Sequence, residues 1–509
     1  MKYKAQNNVP DNSNSRLLNH ISYLIIATLI TGFIFLNIPN ISHLPYTDFV
    51  QVWRQSDVLS VARNYYQESM NFFYPRIDSR GNLSGITGME FPIYNYIMAI
   101  LYYISGKVIP LYGKLLSFAS ALGVLYLITK IANSDFIIAK NKINPFILTF
   151  CSMCNIYFFA FSFAIMPEFF SLFLSLLGFY IFTKYKNNKN NKLLVLSCIF
   201  ISFGMLVRPY TAFYGLPILI QCLTSFMRKN YKEFFKLLIS GIITLIPFII
   251  WYKFWVPYLN NSYGINYFYM GSDVSENIKQ AFNITFFLKL FKFIPNLFSF
   301  PGLQSLALIG LIIFILSLIK HILLNNQIKT KINTVISSNI LQIFIISLIG
   351  TFFIVIVVNK NQLIQHKYYL AVWFPTFSLL PSIAISSLLN FKIYTLNKLY
   401  KTITIILISV FFVFLSSLMI KSHLKDLKHP EYPFPAWKNS MEFLEQEKLN
   451  LLKNVEPHDL VITSVKGMSS NPFLLYLLDR KGWSISLPAN SIQQLKILQP
   501  LVKKGAKFY

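Results

Sequence analysis

Residues 336–358 read ISSNILQIFIISLIGTFFIVIVV, with no charged side chain and apolar positions on every side of a helical projection. A helix rises about 1.5 Å per residue, so about 20 such residues cross the ~30 Å hydrocarbon core of a bilayer. Lipid offers backbone amides and carbonyls no partner, which leaves a helix or a closed barrel. A barrel strand would alternate apolar and polar over about ten residues, and this stretch does not alternate. Outward from it, apolar segments recur over roughly 21–38, 91–106, 111–131, 143–163, 168–183, 193–207, 210–227, 237–255, 301–322, 368–390 and 402–420. Of the 509 residues 54% are hydrophobic and 13% charged, where a soluble chain carries about a quarter charged. The sequence predicts a polytopic helical membrane protein.

The net charge of +27 would suggest nucleic acid in a soluble protein. Here the cations lie between spans, at Lys184/Lys186/Lys189/Lys192, Arg228/Lys229/Lys232/Lys236, Lys329/Lys331 and Lys392/Lys398/Lys401. Cytoplasmic Lys and Arg fix the orientation of membrane proteins, so no nucleic-acid partner is expected. With these loops inside, the first loop (39–90), Met166-Pro167-Glu168, Arg208, the loop 256–300, the run Asn359–Lys367 and the tail from Lys421 fall outside. Residues 1–19 are polar and 21–38 long enough to span, which predicts a retained first helix with a cytoplasmic N-terminus. The twelve segments are one too many or too few for a chain that starts inside and ends outside, and the fault lies between Phe91 and Asn144. The four cysteines, Cys151, Cys154, Cys198 and Cys222, all sit in apolar stretches. They predict buried small side chains rather than disulfides or a zinc site.

Residues 1–420 thus form a membrane domain, and 421–509 a separate tail. Asp459-Leu-Val-Ile-Thr reads as a strand, Phe473–Leu478 as a helix, Lys481-Gly-Trp-Ser-Ile-Ser-Leu as a turn and strand, and Lys504–Tyr509 as the start of another strand. This predicts a small α/β unit outside the membrane. In the first loop, Val58, Val61, Ala62, Tyr65, Tyr66 and Met70 share one face of a helix, expected to lie in the membrane interface, with Ser56 and Asp57 near its start.

With only 19 acidic residues in the chain, acids near the membrane need a reason. Asp57 is flanked by Arg54 and a helix start. It is either a cap paired with Arg54 or a carboxylate that accepts the proton of an acceptor hydroxyl. Glu90, ahead of Phe91-Pro92, and Glu168, after Pro167, each either favour a helix N-terminus or hold substrate or a metal at a cavity mouth. Arg208, His366, Lys367 and Tyr368 on the same side either anchor at the interface or stabilise a phosphate leaving group. The aromatics Tyr258, Tyr263, Tyr267, Phe268 and Tyr269 suit sugar rings, lipid tails or plain anchoring. No phosphate loop or dinucleotide fingerprint is present, so a transferase with outer-face residues needs a lipid-borne donor. The lack of internal repeats disfavours a transporter.

The stretch Trp53-Arg54-Gln55-x-Asp57, followed by Asn64-Tyr65-Tyr66, Pro75, Gly85, Gly88-x-Glu90-Phe91-Pro92 and Gly106, resembles the first outer loop of the GT-C glycosyltransferases. The likeness is to the branch of the protein O-mannosyltransferases and aminoarabinose transferases. Pro167-Glu168, Arg208-Pro209 and His366-x-Tyr368-Tyr369 are similar to later landmarks of that family, over about residues 20–390; Arg480-Lys-Gly-Trp483 resembles its extracytoplasmic tails. The resemblance implies a GT-C-like bundle of about 11–13 transmembrane helices and inverting sugar transfer from a polyprenyl-phosphate donor to a lipid, glycan or protein acceptor. It places Asp57 as general base and Arg54, Glu90, Glu168, Arg208, His366, Lys367 and Tyr368 around the substrates. No cofactor is expected to be required, and a single outer-face Asp can act with or without a divalent metal, which the sequence does not indicate. Ser56-Asp57-Val58 has one acid where the mannosyltransferases carry Asp-Glu, and Glu90-Phe91-Pro92 stands where the aminoarabinose branch often has Lys-Pro-Pro. Sugar and acceptor are therefore left open. The Asn, Ile and Lys bias suggests a bacterial inner membrane with a periplasmic site. The rivals are a flippase of lipid-linked sugars and a polymerase or ligase of whole glycans.

Overall fold

A computed structural model describes residues 27, 30–34, 51–135, 142–265, 288, 301–324, 335–358, 366–393, 446–464, 472–488 and 490–508. The expected spans 21–38 (apart from residues 27 and 30–34) and 402–420 lie outside them, as do Tyr267, Phe268 and Tyr269. The described helices are α1 (Val52–Gln67), α2 (Ile93–Ser105), α3 (Leu111–Asn133), α4 (Pro145–Met153), α5 (Ile156–Phe161), α6 (Glu168–Asn188), α7 (Asn191–Val207), α8 (Leu216–Met227), α9 (Tyr231–Ile249), α10 (Val256–Tyr263), α11 (Pro301–Leu324), α12 (Asn339–Val358) and α13 (Phe374–Ile393). Among the described residues, six helical runs are long and apolar enough to cross a membrane. The protein is an integral membrane protein.

Polar contacts gather at two ends of the bundle. At the far end Asn133 bonds the backbone of Ile143, Asn339 meets Ser134 and Lys186, and Glu233 pairs with Lys189 and Lys236. At the opposite end lie Glu90, Glu168, Arg208 and His366. The α4–α5 pair, α6, α7, α8, α9 and α12 each run from one end to the other. Aromatic packing fills the space between them, with Phe118 stacked on Phe163 at 4.3 Å and Phe374 set edge-on to Phe169 at 5.2 Å.

The expected segment 91–106 forms a thirteen-residue helix, shorter than the six runs long enough to span. Near its start, Tyr94 donates to the carbonyl of Gly113 at the head of α3 (2.8 Å), and near its end Tyr102 faces Tyr66 and Tyr112. Both ends of α2 therefore stay with the first loop, and thirteen residues span only ~20 Å. Without it, eleven apolar segments remain. The expected segment 143–163 is not one helix. It breaks at Cys154-Asn155, where Asn155 turns its side chain back to cap the amide of Tyr157. The segment 237–255 extends both ways into a run from Tyr231 to Tyr263. Pro247 cannot donate an amide inside it, and a π turn follows at Ile250–Trp255.

The first loop also departs from expectation. Helix α1 begins at Val52, capped by Gln51 in the left-handed region (φ 54°), so Asp57 lies in its second turn and caps nothing. Its apolar face is not laid on lipid. Val58 and Ala62 pack on Tyr94, Met98 and Tyr476, and Val61 and Tyr65 on Ile77 and Met89. The other side, Arg54 through Asp57 with Ser60, Arg63 and Asn64, is buried as well. The tail matches the sequence reading: β1 (Leu460–Ser464), α14 (Phe473–Leu478), β2 (Lys481–Ile485), α15 (Ser491–Lys503) and β3 (Ala506–Phe508) form a parallel sheet of order β2-β1-β3. It docks on α1 and on the loop at 78–81.

Candidate active site

Four chain segments bring charge to one place. Arg54 comes from the first turn of α1, Glu90 from the end of the first loop, Glu168 from the first residue of α6 behind Pro167, and Arg208 from the C-terminus of α7, where Pro209 stops the helix. Arg54 donates to both oxygens of Glu90 at 2.8 Å. Arg208 bridges two acids, Nη1 to Glu90 and Nη2 to Glu168. Glu168 is 1% exposed and Glu90 22%, so Glu90 faces the mouth and Glu168 the interior. The Arg208 guanidinium lies 5.4 Å from the ring centre of Tyr368, and Tyr368 is held from below by Tyr157, whose hydroxyl donates to its carbonyl. His366 contacts Gln51 (3.4 Å) and faces Trp53. The side chain of Lys367 lies outside the described residues.

The expected contact between Asp57 and Arg54 is not the one that forms. Arg54 turns to Glu90, and Asp57, 3% exposed, keeps one carboxylate oxygen (Oδ1) with no hydrogen-bond partner among the described residues. Burial pushes the Asp57 carboxyl well above the usual range; Arg54 opposes this, and Asp78 and Glu90 add to it. Glu90 responds the other way. Burial disfavours its charge, yet the guanidinium groups of Arg54 and Arg208 outweigh that and hold it down at about 2. His366 is lowered by burial and then by Arg54. The site therefore holds a balanced Arg–Glu cluster, and Asp57 lies one helical turn along α1 from Arg54. Among the described residues no three His, Cys, Asp or Glu side chains gather as metal ligands.

Three participants had no role assigned from the sequence. Gln55 accepts from the amide of Ile165 (2.8 Å) and so ties α1 to the approach to Glu168. Tyr157 supports Tyr368. Asp78 is fully buried and pairs with Arg63 and Lys481. A lone acid between Arg76 and Arg80 was the one visible sign of it.

The sequence matches no protein-family model and no curated protein. Among solved structures, the fold is similar to ArnT from Cupriavidus metallidurans in the apo state (TM-score 0.51, 11% identity), covering 94% of this chain and 89% of that one. It is also similar to the oligosaccharyltransferase AglB from Archaeoglobus fulgidus (TM-score 0.52, 11% identity), in complex with an inhibitory peptide and a dolichol-phosphate. That match covers 90% of this chain and 65% of AglB. The chain has the GT-C fold. Within this GT-C fold, the Arg54–Glu90–Arg208–Glu168 cluster sits where the first loop meets the ends of α6 and α7.

Proposed function

We propose that this protein is an inverting glycosyltransferase that moves a sugar from a polyprenyl-phosphate donor to a lipid, glycan or protein acceptor. The observation that carries this is Asp57, a buried carboxylate with an unpartnered oxygen, three residues along one helix from Arg54. Residues at that spacing share a helix face. The presence of a dolichol-phosphate and a peptide on AglB supports a lipid phosphate donor on the same fold. In the reaction the acceptor hydroxyl attacks the anomeric carbon from the side opposite the phosphate. Its oxygen bonds to that carbon, its proton passes to Asp57, and the carbon–oxygen bond to the phosphate breaks. Arg208 and Arg54 receive the charge that grows on the departing lipid phosphate. Glu90 and Glu168 hold the two guanidinium groups in place before the donor arrives, which spares the reaction their reorganisation. A base with a raised pKa retains the driving force to take a proton near neutral pH. We place the site on the periplasmic face of a bacterial inner membrane, opposite the basic loops at the far end.

The test is sugar transfer from radiolabelled polyprenyl-phosphate monosaccharides by the purified protein, with envelope lipids and glycans as acceptor. The native protein should transfer, and Asp57→Asn should lose about 10²–10⁴ in rate while still binding donor. Equal turnover by both would remove Asp57 as base. Binding without transfer from any monosaccharide donor would favour a flippase or a whole-glycan enzyme.

A further inference from the structure

Glu90 pairs with both Arg54 and Arg208, yet it lies in the first loop, outside any helix. A loop side chain keeps a fixed place only if its backbone is held. Here the run Tyr231–Tyr263 holds it on both sides. Before Glu90, the Gly88 N–H donates to Asn260 Oδ1 at 2.8 Å, and the Met89 carbonyl accepts from Trp251 Nε1 at 2.9 Å. After it, the Phe91 ring stands edge-on to Trp251 at 4.9 Å. The Phe91 N–H donates to the Leu206 carbonyl (3.3 Å), which also accepts the Tyr252 hydroxyl (2.8 Å). Leu206 is two residues ahead of Arg208, in the last turn of α7, where helix carbonyls lack partners of their own. Trp251 thus touches both chain neighbours of Glu90, and Tyr252 ties the same place to the end of the helix that leads to Arg208.

The local structure of the run suits this task. Trp251 and Tyr252 both come from the π turn, which the Val256 N–H closes on the Trp251 carbonyl. Such turns are rare and are frequent at functional sites. The side chains of the run mostly face outward, but Trp251 is buried. A buried indole N–H needs an acceptor, whereas a phenylalanine would fill most of the same space without one. The approach is close as well: a Cβ on Gly88 would stand 2.6 Å from the Val256 carbonyl oxygen. We propose that Trp251 is a positioning residue for Glu90: by fixing the chain on either side of it, the indole sets the carboxylate where it holds Arg54 and Arg208 ready for a lipid phosphate.

This role rests on the reading of those two arginines as the phosphate contacts, and the test keeps the two apart. Binding of polyprenyl phosphate is measured on the full chain in detergent. The variants are Trp251→Phe, Trp255→Phe, Arg208→Gln, Glu90→Gln and the double variant Trp251→Phe with Glu90→Gln. Trp255 donates from the same π turn to the Phe73 carbonyl (2.9 Å), so Trp255→Phe removes a like bond that does not flank Glu90. Trp251→Phe should weaken binding about 3–10-fold, the size of one hydrogen bond, and Trp255→Phe less than about twofold. With Glu90→Gln already present, Trp251→Phe should cost less than about twofold, because the two residues act as a unit. Equal losses in Trp251→Phe and Trp255→Phe, or the same loss with and without Glu90, overturn the positioning role; the first comparison decides it should Glu90→Gln not fold. Loss of binding in Arg208→Gln with none in Trp251→Phe overturns the positioning role alone. Binding that Arg208→Gln leaves intact overturns the donor reading, and this role with it.

Discussion

At the scale of single residues, Asp57 combines a functional role with a structural cost. A carboxyl whose folded-state pKa lies above its unfolded value, about 3.9, releases its proton sooner in the unfolded chain. Stability is then whole below that value and falls as pH rises toward the folded pKa. Asp57 is such a group, so Asp57→Asn should be more stable than the native protein at neutral pH, by about 1–3 kcal/mol, the cost of a buried unsatisfied polar group. Melting of the two proteins in detergent from pH 4 to pH 8 checks this. The gap should be absent near pH 4 and widen upward; a variant that melts lower at pH 7 would mean that Asp57 is held by contacts its neighbours do not supply. The sequence named Asp57, Arg54, Glu90, Glu168 and Arg208 from their places at loop and helix ends, and the structure gathers the last four. Their pairing was not legible. Local sequence offered Arg54 to Asp57 three residues away, but the bidentate partner is Glu90, 36 residues on, and only the return of the first loop decides between them.

At the scale of elements, the membrane helices are set by close approach where side chains are small. A Cβ on Gly204 of α7 would stand 1.9 Å from the Ser175 hydroxyl and 3.1 Å from the Ser171 carbonyl of α6. Small residues at such crossings let helices pack tightly in lipid. These two helices also carry the two halves of one ion pair, Glu168 at the start of α6 and Arg208 at the end of α7. Gly204→Leu should push them apart, costing about 1–3 kcal/mol of stability, and should impair donor binding as well as turnover. A fall in melting temperature with normal affinity for polyprenyl phosphate would show that the Arg208–Glu168 pair does not depend on this crossing. Elements whose stop signals are local were readable: α14 ends at Leu478 as the sequence predicts, since Asp479 takes the left-handed conformation (φ 54°). Helix α1 was placed at the membrane interface because its polar side reads as facing water, whereas that side is buried within the chain itself.

At the scale of the whole molecule, the contacts of α2 bear on the topology of the stretch where the alternation of spans breaks down. Hydropathy alone treats the thirteen residues Ile93–Ser105 as a short span, because their apolar side chains cannot say whether they meet lipid or α1 and α3. If both ends of α2 stay on the side of the tail, Leu83 before it and Lys107 after it face the same compartment, and Lys232 at the head of α9 faces the other. In a variant without Cys151, Cys154, Cys198 and Cys222, single cysteines at Leu83, Lys107 and Lys232 should sort accordingly. An impermeant maleimide should label the first two in right-side-out vesicles and the third only in inside-out ones. Labelling of Lys107 together with Lys232 would make α2 a true span and return the alternation to an even count. Reversal of all three would leave the fold intact but turn the Arg54–Glu90–Arg208–Glu168 site toward the cytoplasm, where a polyprenyl donor would no longer be the only carrier chemistry allows.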